Sequence, residues 1–186
     1  MGNLDRLFPP VAVLLAVEPD LPSQPPRLLD LSLRLSLWQQ FGLAFLLGSF
    51  AVATLSDLKR LAAQREFLEV WLLFLAGVLL YDAWAAHERG GAGWPAVAVK
   101  WGLIAVLSLL SLKRVGVLFR LAVGDVAALA AAASLLPPLL VLLFYAEAKL
   151  LALGLRPLLQ RGKPYWPFMP VVSLAALAVL ALGWLL

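Results

Sequence analysis

Asp57, in Ser56-Asp57-Leu58-Lys59-Arg60, and Asp125, in Ala122-Val123-Gly124-Asp125, are the residues of this chain best placed to do chemistry. Each lies where a long apolar segment meets a basic loop. A carboxylate beside hydrocarbon is costly and is rarely kept without a task. Two carboxyl groups that come into close contact cannot both ionise easily, so the pair holds one proton between them. The ionised member takes a proton from water while the neutral member donates to a carbonyl oxygen. That is the chemistry by which an aspartic protease hydrolyses a peptide bond. Gly124 suits such a site, because its missing side chain lets a substrate backbone approach Asp125. The bland alternative is that Asp57 offsets Lys59 and Arg60 in a polar loop and that Asp125 has a structural role.

The elements that must position these carboxylates are membrane helices. Of 186 residues, 63% are hydrophobic and 14% charged, and the mean hydropathy is +0.92. Soluble domains hold about 45–50% apolar and about 25% charged residues. The chain departs from both in the direction that lipid as solvent demands. A spanning helix takes about 20 apolar residues. The pattern predicts spans at 36–56, 67–86, 95–112, 117–136, 138–155 and 168–186. The expected fold class is therefore an all-α membrane protein of about six transmembrane helices, with the aspartates on helices one and four. Lys100, near the start of the third span, is expected to snorkel to the interface. Trp94, Trp101, Tyr165, Trp166 and Trp184 fall near predicted ends, as an aromatic belt requires.

Charge sets the expected orientation. Ten of the fifteen Lys and Arg residues fall at one face: Lys59, Arg60, Arg65, Lys113, Arg114, Arg120, Lys149, Arg156, Arg161 and Lys163. The opposite loops contribute only Arg89. The rich side should be cytoplasmic and both termini outside, in a multi-pass plasma-membrane protein. Asp57 and Asp125, 68 residues apart, then return to the same cytoplasmic face with two full passes between them. Residues 1–35 carry six prolines and scattered charges, so they read as an outside or interfacial extension to a helical domain over 36–186. The pI of about 9.8 reflects clustered loop charge and implies no nucleic-acid partner. There is no cysteine and only one histidine, His87. Neither a metal site nor a cofactor is expected.

These residues resemble a known family. Ser56-Asp57-Leu58-Lys59-Arg60, followed by Arg65-Glu66-Phe67 and Trp71, looks like the first aspartate motif of type IV prepilin peptidases, GxGD-type aspartic proteases. The likeness is closest to the archaeal branch that processes preflagellins and related precursors. Ala122-Val123-Gly124-Asp125 is similar to that family's Gly-x-Gly-Asp motif, with Ala122 in place of the first glycine. Pro167-Phe168-Met169-Pro170 resembles the start of the family's last helix. The resemblance covers about residues 40–180 and rests on short motifs. It departs from the family after Asp125, where Val126-Ala127-Ala128 stand in place of a lysine-bearing segment. The zinc-binding, cysteine-rich loop of bacterial members has no counterpart here. What the resemblance implies is a membrane aspartic endopeptidase with Asp57 and Asp125 as catalytic residues and Ala122, Val123 and Gly124 as active-site backbone. Its partners would be the bilayer and membrane-anchored precursors with basic leader peptides.

Rival readings are a noncatalytic membrane scaffold or subunit of the same fold, and a presenilin-like protease using Tyr81-Asp82 with Gly124-Asp125. In presenilin-like proteins those motifs lie on consecutive helices, whereas here a span intervenes. A transporter with the aspartates as proton or cation sites is a third option, although no repeat is visible. Glu147 is expected to pair with Lys149, and Gln39-Gln40 to bond to a neighbouring helix.

Overall fold

The computed structural model describes residues 36–60, 65–91, 93–160 and 167–185. The extension over 1–35 lies outside them, as do Arg161, Lys163, Tyr165 and Trp166; the side chains of Lys59, Arg60, Arg65 and Trp184 are also not described. Among the described residues six helices follow one another: α1 Leu37–Arg60, α2 Arg65–Glu88, α3 Trp94–Ser111, α4 Val123–Ala133, α5 Pro138–Gln160 and α6 Met169–Leu185. Among the described residues there is no strand, only an isolated bridge between Leu112 and Leu121. The all-α membrane class holds.

The span count is corrected. Among the described residues four stretches are long and apolar enough to cross a membrane: Leu37–Asp57, Glu66–Glu88, Trp94–Ser111 and Pro138–Leu158. Val123–Ala133 and Met169–Gly183 are shorter apolar helices. The predicted fourth span, 117–136, spends its first residues in a loop instead. Gly116 takes φ +62°, a left-handed turn that favours glycine, and Lys113, Arg114 and Arg120 are exposed around it. An eleven-residue helix reaches only about 16 Å, roughly half the hydrocarbon thickness.

Helix α4 is nevertheless the centre of the molecule. It touches all five other helices, and they form a ring around it: α1 on α6, α6 on α5, α5 on α3, and α3 on α2. Aromatic contacts close the ring between α2 and α1. Phe45 stacks on Phe74 at 6.2 Å and Phe50 meets the edge of Trp71 at 5.6 Å, while Trp71 Nε1 donates to Ser49 Oγ at 3.0 Å. Gly42 permits the approach, since a Cβ there would meet the Phe74 ring at 3.2 Å. Outward-facing Trp38, Phe41, Leu73, Leu80 and Leu150 are exposed, as a lipid-facing surface requires.

Alanine makes the enclosure possible. Val126 through Ala133 are all buried, and small side chains let backbones come close where lipid gives no hydrophobic drive to association. Ala128 is fully buried. Ala128→Leu should push the ring apart and destabilise the folded bundle by about 1–3 kcal/mol. A melting temperature in detergent equal to that of the parent would refute close packing at this position.

At its outer ends the bundle is fastened by polar contacts. Ser36 and Gln39 form a capping box at the start of α1: Gln39 N–H donates to Ser36 Oγ at 3.4 Å, and Ser36 N–H to Gln39 Oε1 at 2.9 Å. Gln39 therefore serves its own helix, contrary to the interhelical bond expected of it. Tyr81 donates to Ser36 Oγ at 3.4 Å, which fixes Tyr81-Asp82 at the end of the bundle where α1 begins.

Candidate active site

Asp57 sits in the last turn of α1, and its side chain is buried. Its environment is the start of α6. Met169 N–H donates to Asp57 Oδ2 at 3.1 Å, and the Phe168 N–H also donates to this carboxylate. The first amides of a helix have no partner within it, and they present partial positive charge to an anion. Pro170 sits in the first turn of α6, where a missing N–H costs nothing. Thus Pro167-Phe168-Met169-Pro170 supplies the donors that hold Asp57. One turn further along, Thr54 and Ser173 hydroxyls meet at 3.0 Å, and Ser173 donates to the Met169 carbonyl at 3.0 Å. The two helices are tied at two successive levels.

Asp125 is the third residue of α4, half-buried. Ala122 stands at the cap position with extended backbone and has no side chain able to cap. Its N–H lies beside the Asp125 carboxylate. Val123 is exposed and Gly124 half-buried. Gly124 lies within the helix, so its value is the absence of a side chain and not a left-handed backbone.

Helices α1 and α4 touch, and Asp125 is close enough to Asp57 to feel its charge. The two carboxylates singled out in the sequence therefore share one end of the bundle, each at a helix N-terminus. The exposed Lys113, Arg114 and Arg120 lie in the loop leading to Ala122 and rim the same end. Ser56, the residue before Asp57, carries a buried hydroxyl with no partner among the described residues.

Asp82 belongs elsewhere. Lys100 Nζ donates to its Oδ2 at 2.7 Å and Trp101 Nε1 at 2.9 Å, with Lys100 5.7 Å from the Trp101 ring centroid. Both charged side chains are nearly excluded from solvent, 10% and 12% exposed. Lys100 thus does not snorkel to the interface as expected. It neutralises Asp82 in the α2–α3 interface, because a counter-charge one helix away is nearer than water. Glu147 also departs from expectation. Lys149 gives its ammonium to the Leu118 carbonyl and the Phe119 ring, and among the described residues Glu147 has no ion pair.

Sequence reasoning missed Thr54, Ser173, Lys149 and Phe119 as neighbours of the site, for their partners lie far away along the chain. Comparison with protein-family models, curated proteins and solved structures returns no match.

Proposed function

We propose that this protein is a membrane aspartic endopeptidase of the type IV prepilin peptidase kind, closest to its archaeal preflagellin-processing branch. The observation that supports it most is the convergence of Asp57 and Asp125, from helices 68 residues apart, at one end of an apolar bundle. In this reading the pair shares a proton; one carboxylate activates water and the other donates to the scissile carbonyl oxygen. The substrate is a membrane-anchored precursor whose basic leader precedes an apolar helix. The cationic rim supports the cytoplasmic side of the plasma membrane for this end in the proposed reading, and a leader cut there never has to cross the bilayer.

A noncatalytic scaffold of the same fold is favoured by a different observation: both carboxylates also lie at helix N-termini, Asp57 accepting from α6 and Asp125 in the first turn of α4. A direct test incubates the detergent-solubilised protein with a pilin-like precursor and follows a leader-sized shift in mobility. Cleavage supports the peptidase, and an unchanged precursor across several leader sequences supports the scaffold. Turnover should be unaffected by EDTA, since two carboxylates suffice for the reaction. Inhibition that added zinc reverses would contradict the mechanism.

A further inference from the structure

Lys149 is a lysine at the middle of α5, and its charge is committed in an unusual way. Its ammonium donates to the Leu118 carbonyl and lies 5.1 Å from the centroid of the Phe119 ring. Both acceptors belong to the loop that joins α3 to α4. That loop is folded on itself: Lys113 N–H donates to the Leu121 carbonyl and Leu121 N–H to the Ser111 carbonyl, each at 3.0 Å. The Phe119 ring is buried and packs edge-on against Phe168, with centroids 5.5 Å apart.

These contacts lead to both carboxylates. Phe168 and Met169 carry the amides that hold Asp57. Ala122, where the loop ends, is the cap residue of α4 and leads directly into the turn that carries Asp125. The Phe119–Phe168 contact therefore joins the segments that position the two carboxylates, and Lys149 anchors the joint to α5. We infer that Lys149, acting through Leu118 and Phe119, is a positioning residue that sets the separation of Asp57 and Asp125. The inference rests on the peptidase reading. Lys149 bonds the loop and touches neither carboxylate, so it acts through backbone placement and takes no part in proton transfer. Misplacing a reacting group by about 1 Å can cost on the order of a hundredfold in rate.

The test compares Lys149→Met, which keeps the stem and removes the charge, with Lys149→Arg, which keeps a donor able to face the Phe119 ring. With a pilin-like precursor, Lys149→Met should lower kcat by about ten- to a hundredfold with little change in KM. Lys149→Arg should restore kcat to within about threefold of the parent, and Phe119→Leu should fall with Lys149→Met. A second readout needs no activity. The chain has no cysteine, so Asp57→Cys with Asp125→Cys gives a pair whose cross-linking rate reports separation. Adding Lys149→Met should slow that cross-link several-fold. Parental kcat and an unchanged cross-link in Lys149→Met would overturn the inference while leaving the peptidase reading intact. Parental turnover in Asp57→Asn would sink the peptidase reading, and the cross-link would still judge the placement. If Lys149→Met fails to insert, Phe119→Leu decides by the same two measurements.

Discussion

Asp57→Asn and Asp125→Asn should each abolish precursor cleavage while the protein still inserts and folds. Asparagine preserves an oxygen that can accept from Met169 at position 57, and Asn serves at a helix N-terminus about as well as Asp. What it cannot do is share or release a proton. A dyad acts as one unit, so the double variant should be no worse than either single. Residual turnover is expected to be at least about a thousandfold below the parent, in line with losses seen when one member of a catalytic unit is removed. Near-parental cleavage in either variant would show that the pair is structural and would leave the scaffold reading in possession.

The second large effect concerns stability. Asp82→Asn should leave Lys100 as a nearly buried ammonium without its counter-charge, at a cost of about 3–5 kcal/mol. Lys100→Met alone should strand Asp82 in the same way. Combining the two should restore much of the loss, because a buried ion pair exchanged for apolar or neutral groups is often close to neutral. The folded fraction of Asp82→Asn should still cleave precursor, for Asp82 lies at the far end of the bundle from Asp57. Thermal unfolding in detergent, run beside the cleavage assay, separates the two effects. A double variant no more stable than either single would show that the pair does not act as a unit.

The long apolar runs made α1, α2, α3, α5 and α6 legible in the sequence to within a few residues, because spacing between charged loops alone sets their ends. The fourth span was not legible, and the sixth, expected over 168–186, folds as a helix but over Met169–Gly183 falls short of the length that marks a crossing. Residues 117–136 are apolar enough to suggest a crossing helix, and hydropathy carries no sign that Leu112 would pair with Leu121 or that Gly116 would turn left-handed. Asp57 and Asp125 stood out because a lone carboxylate in hydrocarbon is conspicuous. The amides that hold Asp57 did not, since backbone amides have no letter in a sequence. Two further features carry local signals in the sequence. Ser36-Leu37-Trp38-Gln39 has capping-box spacing, and Asp82 and Lys100 lie nine residues on either side of Gly91, where an antiparallel hairpin sets them opposite each other. The contact of Lys149 with Leu118 has no such local rule.

A short helix walled in by five others also bears on biogenesis. The insertion machinery accepts segments by their own hydrophobic length, and eleven residues fall well short of the roughly twenty that lipid alone would hold. Helix α4 must therefore be recruited by helices already in the bilayer, in the second of two assembly stages. Of its neighbours α6 comes latest in the sequence, and α6 also carries the amide that holds Asp57. The surroundings of the two carboxylates are consequently assembled only once translation has passed Met169, so Asp57 gains its folded environment after every other neighbour of α4 has been made.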